Sequence, residues 1–278
     1  MAAFCDLHTH SAYSDGTFSP AELLREAEKA NLAAVALCDH NTVAGLPDFL
    51  EAARGSSVEA VPGIEFSTEY WGKELHILGL FVEAQHYAAV NVLLEEALRR
   101  KEQSNIALIQ RLREQGLSVD YWDIKAETPG GSVNRAVIGA YLVKHGCCSS
   151  MPEAFDKWLN LDRGFYVPPK RPDAYETIAF IKSIGAVAVL AHPFLNLEEP
   201  ELREFLAGAK ELDGMEVYYP KFSEEQTMLA SAIADEFGLV QSGGSDFHGA
   251  NKPDIQIGTG RGTLRVSMAC LEELRKRK

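Results

Sequence analysis

The sequence predicts an α/β fold, with a barrel-like sheet as the first choice and an open, doubly wound sheet as the second. Short, continuous apolar runs of strand length alternate with segments in which apolar residues recur at helical spacing. Continuous apolar strands are buried on both faces, which is typical of a parallel sheet covered by helices. A helix-rich stretch from about residue 83 to residue 167 interrupts the alternation and predicts an inserted α-helical subdomain.

Cap and turn signals separate the predicted elements of the barrel. A serine cap at Ser19, with Pro20 in the first turn and Glu22 behind it, predicts the start of the first helix. Pro47 predicts a break or a restart within the second helix. The predicted strands are Phe4–Leu7, Ala33–Cys38, Val58–Phe66, Leu75–Val82, Ala186–Ala191, Met215–Tyr219 and Leu239–Ser242. The later predicted helices are Val43–Ala53, Ala174–Ile184, Pro200–Leu212 and Glu224–Phe237.

The insertion has its own helical pattern. Leucines at helical spacing predict a helix over Tyr87–Gln115, and a second helix follows over Arg135–His145. Between them, the run Thr128-Pro129-Gly130-Gly131 predicts an interruption. The predicted domains are therefore residues 1–82 with 168–278 for the barrel and residues 83–167 for the insertion. The last residues, Glu272–Lys278, predict the end of a helix with basic side chains at its favourable terminus.

Composition and charge limit the setting and the partners. The chain has 278 residues, of which 46% are hydrophobic and 24% charged, as in a soluble globular protein. Its formal charge of −13 argues against long nucleic acids and membrane surfaces as partners. The first residues, which lack a basic region and reach a charge at Asp6, lead us to expect no signal peptide. No apolar run approaches the roughly 18 to 20 residues that a membrane helix needs. Five cysteines without a C-x-x-C motif predict reduced thiols and a cytoplasmic location.

Most of the eight histidines lie at or just after a predicted strand. His8 and His10 form an H-x-H pair, whose alternation along an extended strand points both rings the same way. Each such feature alone is more often structural than functional. Ligands of parallel α/β sheets bind at the carboxyl ends of the strands, however, and this placement would gather the histidines and several carboxylates there. Because burying so many ionisable groups is costly unless cations satisfy them, the set predicts a site for divalent metals.

The residue types indicate the class of metal and of reaction. Imidazole and carboxylate ligands without thiolate suit zinc, manganese or iron(II). The candidates exceed what one ion needs, so two or three ions are expected to share bridging carboxylates. Closely spaced ions are suited to phosphoryl transfer, with a metal-bound hydroxide as the nucleophile. The candidate ligands are His8, His10, Asp15, His40, Glu65, His76, His192, Asp246 and His248.

These motifs resemble the PHP (polymerase and histidinol phosphatase) family of metal-dependent phosphoesterases. The matching segments, in the order of that family, are Asp6-Leu7-His8-Thr9-His10, Ser14-Asp15-Gly16, Cys38-Asp39-His40, Gly63-Ile64-Glu65, His76-Ile77-Leu78-Gly79, Ala191-His192-Pro193 and Gly244-Ser245-Asp246-Phe247-His248. The resemblance implies a distorted (β/α)7 barrel with a trinuclear site at the strand ends. It implies one ion on His8, His10, Glu65 and Asp246, a second on Glu65, His76 and His192, and a third on Asp15, His40 and His248.

The resemblance also implies a small phosphorylated substrate. Relatives with a helical insertion act on nucleotides, such as nucleoside 3′,5′-bisphosphates, or on the 5′ ends of short RNAs. Ser132 and Arg135 in the insertion, and Lys170 after it, are candidate phosphate contacts. The family often has Arg-Pro-His where this chain has Arg135-Ala136-Val137, which puts the leaving group in question.

Four alternatives remain open at this point. Within the class they are a 5′-3′ exonuclease on short RNA or DNA and a histidinol-phosphate phosphatase. Outside it they are an amidohydrolase-type C–N hydrolase and a non-catalytic nucleotide-binding module. The amidohydrolase is disfavoured because no lysine stands at a strand end where it could bridge two metals, and the full ligand set disfavours the binding module. The sequence identifies neither a general acid nor the oligomeric state.

Overall fold

The computed structural model describes residues 3–128 and 133–278, and its centre is one mixed sheet. The seven predicted strands are present, with boundaries shifted by up to four residues. A short eighth strand was not predicted. The strands are β1 (Phe4–Thr9), β2 (Ala34–Leu37), β3 (Glu59–Tyr70), β4 (Lys73–Leu80), β5 (Val187–Leu190), β6 (Gly214–Tyr218), β7 (Val240–Gly243) and β8 (Val266–Ser267).

The strands lie in the order β7-β6-β5-β4-β3-β2-β1-β8. Neighbours within β1-β2-β3 and within β5-β6-β7 run parallel, as predicted, whereas β4 is antiparallel to both β3 and β5. The prediction of a wholly parallel sheet was therefore wrong at β4. The cause is a two-residue turn, Trp71-Gly72, which joins β3 directly to β4. So short a connection leaves no room for the crossover that a parallel pair requires.

The sheet curls into a nearly closed barrel. The segment after β7 contacts β1, where the Asp246 amide donates to the His8 carbonyl over 2.8 Å and the His10 amide donates to the Phe247 carbonyl over 2.9 Å. On the other edge, β8 pairs antiparallel with β1. The barrel prediction is confirmed and the open doubly wound sheet is not. Closure of this kind brings the loops after β1 and after β7 side by side.

Helices alternate with the strands along the chain in the order that the sequence predicts. The cap at Ser19 is confirmed, because its hydroxyl accepts from the Glu22 amide while the Glu22 carboxylate accepts from the Ser19 amide. Pro47 lies in the first turn of the second helix, so that helix starts later than predicted. The helices are α1 (Pro20–Lys29), α2 (Leu46–Ala52), α3 (Tyr87–Glu114), α4 (Tyr121–Ala126), α5 (Arg135–Lys144), α6 (Met151–Ala154), α7 (Ala174–Ser183), α8 (Glu199–Gly208), α9 (Glu224–Phe237) and α10 (Met268–Arg275).

The chain divides into two compact units, Met1–Asn91 with Arg171–Lys278, and Val92–Lys170. The core of the first unit lies inside the barrel and includes Leu7, Val61 and Val189. The described residues of the second unit form helices and no strand, around a core of their own that includes Leu112 and Leu142. The domain boundaries at residues 82/83 and 167/168 remain a prediction. None of the described helices is both long enough and apolar enough to cross a membrane.

Barrel closure depends on a close approach at Gly244. A Cβ built on Gly244 would lie 2.5 Å from the amide nitrogen of His8, much closer than side-chain carbons approach backbone atoms. We therefore expect Gly244→Ala to push the β7 loop away from β1 and to destabilise the protein by about 2 to 3 kcal/mol. Urea unfolding monitored by circular dichroism measures this change.

The matched control is Ser242→Ala, two residues earlier in β7. The Ser242 hydroxyl is buried without a hydrogen-bond partner, so its removal should leave stability within about 0.5 kcal/mol of the wild type. Equal stability of the Gly244→Ala protein and the wild type would contradict the close approach.

Candidate metal centre

The structure brings all nine predicted ligands to one end of the barrel. His8 lies in β1 and His10 just after it, while Glu65 lies in β3 opposite Leu78, and His76 lies two residues before Leu78 in β4. The remaining five lie on loops that follow strands. They are Asp15 after β1, His40 after β2, His192 after β5, and Asp246 and His248 after β7. Side chains spread over some 240 positions of the sequence therefore converge at the carboxyl ends of the parallel strands, as predicted.

Glu65 lies at the centre of this cluster. Its oxygen Oε1 lies 2.8 Å from Nδ1 of His76 and 3.1 Å from Nε2 of His192. Its other oxygen, Oε2, lies 3.1 to 3.2 Å from three more imidazole nitrogens, which are His8 Nε2, His10 Nε2 and His40 Nδ1. Glu65 is fully buried. The two oxygens of this one carboxylate therefore lie within 3.2 Å of nitrogens from five imidazole rings.

Asp246 and Asp15 extend the cluster on the side of His10. Asp246 Oδ1 lies 3.3 Å from His10 Nε2 and 3.4 Å from His248 Nδ1. Asp15 Oδ1 lies 3.1 Å from His248 Nε2, and Asp15 Oδ2 lies 3.9 Å from His40 Nε2. Each carboxylate therefore stands between two imidazoles, an arrangement that can bridge or chelate cations.

Four overlapping groups have ligand atoms within 4.8 Å of one another. They are His10, Asp15, His40 and His248; His8, His10 and Asp246; His8, Glu65 and His192; and His40, Glu65 and His76. The structure also leaves five buried polar atoms of this cluster without a hydrogen-bond partner: His8 Nε2, His10 Nδ1, His10 Nε2, His40 Nδ1 and Glu65 Oε2. Unsatisfied buried polar atoms are rare in folded proteins. Their number here fits a site whose partners are metal ions.

The charges of the cluster are strongly coupled. Burial alone would raise the pKa of Glu65, but the surrounding histidines outweigh it and hold that pKa well below its usual range. Burial likewise opposes the charged form of His76, yet neighbouring Glu65 raises the pKa of His76 to about 10. Burial lowers the pKa of His40 to about 3. Glu65 is therefore ionised at neutral pH, and His40 is a neutral ring that is free to bind a cation.

Two carboxylates fix the far sides of candidate ligand rings. Glu216 Oε1 lies 2.9 Å from His8 Nδ1, which leaves Nε2 of that ring facing Glu65. Glu74 Oε1 lies 3.2 Å from His76 Nε2, and this carboxylate also pairs with Arg171 over 2.7 Å. Such carboxylate–histidine pairs orient metal-binding rings in many proteins. Both glutamates escaped the sequence analysis. Glu216 had a signal, because it is the only charged residue in the apolar run Met215–Tyr219.

Further contacts fix the positions of Asp15 and Asp246. Asp39 accepts from the Ser11 amide, the Ser11 hydroxyl and the Ser14 hydroxyl at 2.6 to 2.7 Å, so it fixes the loop that carries Asp15. Asp246 Oδ2 accepts from the Tyr219 hydroxyl over 2.8 Å and pairs with Lys252 over 2.6 Å. These contacts turn Asp246 Oδ1 toward the histidines.

The backbone is strained at two of the candidate ligands. His192 has a φ of 28° and Asp246 has a φ of 54°, both in a region that side-chain-bearing residues rarely adopt. Such conformations cost about 1 to 3 kcal/mol and persist where the surroundings impose them. Here, the His192 amide donates to the Glu216 carboxylate over 2.7 Å. The Asp246 amide donates to the His8 carbonyl over 2.8 Å.

Two of the predicted phosphate contacts, Arg135 and Lys170, belong to the second unit. Arg135 donates to the Leu159 carbonyl over 3.2 Å, and its guanidinium lies 4.9 Å from the centre of the Tyr166 ring. Lys170 is exposed. Ser132 lies outside the described residues. Their roles in substrate binding remain predictions.

Comparison with known proteins supplies the family. Residues 6–158 match the PHP domain, and this match spans more than half of the chain. The chain belongs to the PHP family. It is therefore a metal-dependent hydrolase of the phosphoesterase class, in agreement with the sequence prediction.

Several PHP-family proteins are similar over nearly the whole chain. A 5′-3′ exoribonuclease of Haemophilus influenzae is 33% identical over 246 residues, which is 87% of this chain and 89% of that protein. A 3′,5′-nucleoside bisphosphate phosphatase of Chromobacterium violaceum is 27% identical over 266 residues, 91% of this chain and 90% of that protein. A crystal structure of a Bifidobacterium adolescentis protein classed as a metal-dependent phosphoesterase superposes with a TM-score of 0.87 at 26% identity, covering 100% of this chain and 97% of that one.

The shifted pKa values of the cluster predict how the stability of the metal-free PHP protein depends on pH. Burial lowers the pKa of His10, but Asp246 and Glu65 raise it further, to about 9. The pKa of His76 is about 10. Both values exceed the pKa near 6.5 of an unfolded histidine. The two protonated rings therefore contribute fully to the free energy of unfolding below pH 6.5, and this contribution is lost as pH rises toward 10. Because the pKa of Glu65 is lowered in the folded protein, its ionised form stabilises the fold above about pH 4.5, and this stabilisation is lost on acidification. We expect chelator-treated protein to be most stable near pH 6 and to lose several kcal/mol by pH 10.

Urea unfolding of the chelated protein between pH 5 and pH 10 measures this profile. His86→Gln is the matched control, because His86 lies outside the cluster, and this variant should follow the wild-type profile. A profile that stays flat between pH 7 and pH 10 would show that these rings are not held by carboxylates.

Proposed function

We propose that this chain hydrolyses phosphate monoesters of small nucleotides, such as nucleoside 3′,5′-bisphosphates, with two or three divalent ions of manganese, iron or zinc. The observation that carries the proposal is the set of five buried imidazole and carboxylate atoms that face one another at the centre of the cluster without forming a hydrogen bond. Imidazole and carboxylate donors without thiolate suit these three metals. Bound in such a site, divalent ions make water nucleophilic near neutral pH and stabilise the charge on phosphate oxygens.

Three sets of residues would hold the ions. Glu65 belongs to two of them, and its two oxygens face different rings, which is what a bridging carboxylate requires. The first set is His8, His10, Glu65 and Asp246; the second is Glu65, His76 and His192; the third is Asp15, His40 and His248. Every candidate ligand then has a share in the site.

The outer contacts of the cluster would keep these donors aligned during turnover. Glu216 and Glu74 hold the rings of His8 and His76 from behind. Lys252 and Tyr219 hold one oxygen of Asp246. Because these partners are in place before substrate arrives, the donors need little reorganisation when charge develops on the phosphate.

A nucleotide is the substrate best supported by the relatives. One relative is a nucleoside bisphosphate phosphatase, and another, at 33% identity over 87% of this chain, is a 5′-3′ exoribonuclease. This second relative favours a second candidate, removal of nucleotides from the 5′ end of short RNA. We further propose that Arg135, Lys170 and Ser132 contact phosphate. The five cysteines are all free, which supports a reducing cytoplasmic location.

Release of inorganic phosphate from a panel of substrates, and of mononucleotides from the RNA among them, tests the proposal. The panel contains a nucleoside 3′,5′-bisphosphate, AMP, histidinol phosphate, a short 5′-phosphorylated RNA, p-nitrophenyl phosphate and an amide, each assayed with Mn²⁺. We expect turnover of a nucleotide, no turnover of the amide and loss of activity with a chelator. In Glu65→Gln, activity should fall by more than about 100-fold, because a ligand shared by two ions is weakened.

Glu69→Gln is the matched control for Glu65→Gln. Glu69 lies in the same strand, β3, but outside the cluster, so this variant should retain wild-type turnover. Wild-type turnover by Glu65→Gln, or full activity of chelated protein, would contradict the metal site. Hydrolysis of the amide alone would replace the phosphoesterase by the C–N hydrolase, and nucleotide binding without release of phosphate or of mononucleotides would favour a binding module.

The contact between Glu74 and His76 makes a separate prediction for metal affinity. Without Glu74, no carboxylate would hold Nε2 of the His76 ring. We expect Glu74→Ala to weaken Mn²⁺ binding by about 10- to 100-fold, as is usual when the outer partner of a metal-binding histidine is removed. Titration with Mn²⁺ followed by electron paramagnetic resonance measures the affinity without any substrate.

Lys73→Ala is the control for Glu74→Ala. Lys73 adjoins Glu74 in β4 and pairs with Glu201, which lies outside the cluster, so its loss should not change Mn²⁺ affinity. Unchanged affinity in Glu74→Ala would show that the ring of His76 is held by other means or binds no metal.

A further inference from the structure

An exposed tryptophan stands at the tip of the β3–β4 hairpin. Trp71 is 77% exposed, more than any other large apolar side chain among the described residues. It occupies the first central position of the two-residue turn that joins the strands, followed by Gly72. Removing an apolar ring from water stabilises a fold, so a ring left in water contributes little to folding. The position of Trp71 therefore requires another reason.

The backbone conformation makes the residue type more unusual. Trp71 has a φ of 48° and Gly72 a φ of 77°, as a type I′ turn requires. Asparagine, aspartate or glycine normally occupies the first position of such a turn, because a bulky side chain is strained there. Neither burial nor turn geometry thus explains a tryptophan at this position.

The ring is nevertheless held in a fixed orientation. Trp71 stacks on Tyr70, with ring centres 5.1 Å apart and planes 12° from parallel. Tyr70 is itself buried against Phe205 and Tyr175, at ring distances of 5.1 and 5.7 Å. One face of the indole is therefore covered by an anchored ring while most of its surface stays in water. A planar ring fixed in this way is prepared to stack against another planar group.

The hairpin connects this ring directly to the candidate metal centre. Glu65 lies in β3 six residues before Trp71, and His76 lies in β4 five residues after it. At about 3.3 Å per residue, the tip lies about 20 Å beyond Glu65, on the side of the barrel where the strands end. A mononucleotide bound at Glu65 would be too short to span that distance, whereas a chain of several nucleotides could.

We propose that Trp71 is a stacking platform for a base of a single-stranded oligonucleotide whose 5′ phosphate occupies the metal centre. The inference rests on the proposed function and adds a determinant of substrate length to it. Aromatic stacking accepts every base, so Trp71 would favour chain length over sequence. Single-stranded RNA with a 5′ phosphate is the probe, since its end matches the phosphate ester that the centre would bind.

The experiment compares Trp71→Asn with the wild type on two substrates. For a 5′-phosphorylated RNA pentamer, we expect KM to rise about tenfold with kcat little changed, because stacking contributes to binding away from the reacting atoms. For a nucleoside 3′,5′-bisphosphate, neither constant should change. Trp71→Phe keeps an aromatic face and should retain most of the RNA affinity. Fluorescence anisotropy of the labelled pentamer should show the same loss of affinity whether or not the RNA is cleaved.

Stability separates this role from a structural one. Asparagine suits the turn, so Trp71→Asn should unfold at the wild-type temperature or above it, even as RNA binding weakens. Met228→Ala is the matched control, since Met228 is 73% exposed in α9 and its loss should leave both readouts unchanged. An equal loss on both substrates, an unchanged KM and affinity for RNA, or no binding of RNA by the wild type would each overturn the inference. If the wild type releases neither phosphate nor mononucleotides from either substrate, the proposed function fails, while the anisotropy still tests Trp71.

Discussion

The contact on which the rest of the site depends is that between the buried carboxylate of Glu65 and the imidazoles around it. Isolated in the protein interior, an ionised carboxylate would be prohibitively costly. Here each oxygen faces at least two ring nitrogens within 3.2 Å, so the charge is compensated in several directions. The rings come from four different strands or the loops after them. Their convergence requires the barrel to close, and the loss of one strand end would leave the carboxylate undercompensated.

Barrel closure and site geometry are consequently one structural problem. Glu216 in β6 holds the ring of His8 in β1 and also the backbone amide of His192 after β5, so a single side chain ties three strands to the cluster. Asp6 acts similarly, because its carboxylate accepts from the amides of Ser245 and Gly258 over 2.8 and 2.7 Å. These buried acids are partnered by histidine rings and backbone amides, whose geometry they fix. The same contacts that close the sheet aim the ligands.

The sequence analysis predicted the cluster because most of its members lie at or just after the end of a strand. His40 and His192 each follow an apolar strand, and parallel strands bring such positions to a common edge. It misjudged the direction of β4 because an apolar run looks the same in a parallel and an antiparallel strand. Only the short turn before Lys73 distinguishes the two. It also missed the outer carboxylates. Glu74 lies two residues before His76 in β4, so alternation along the strand could have marked it as a partner on the same face. The contact between Glu216 and His8 joins strands that are distant in sequence, and nothing local predicts it.

If the proposed function holds, the charge balance of the chain would favour small substrates at the metal centre. Two or three divalent ions would add four to six positive charges to a formal −13, so the protein as a whole stays acidic. A long polyanion meets that overall field and is repelled, whereas a single phosphate that reaches the barrel end meets the local field of the ions. Discrimination by length then requires no steric barrier. For a short single strand whose 5′ phosphate reaches the ions, the proposed stacking at the hairpin tip would add to this local attraction.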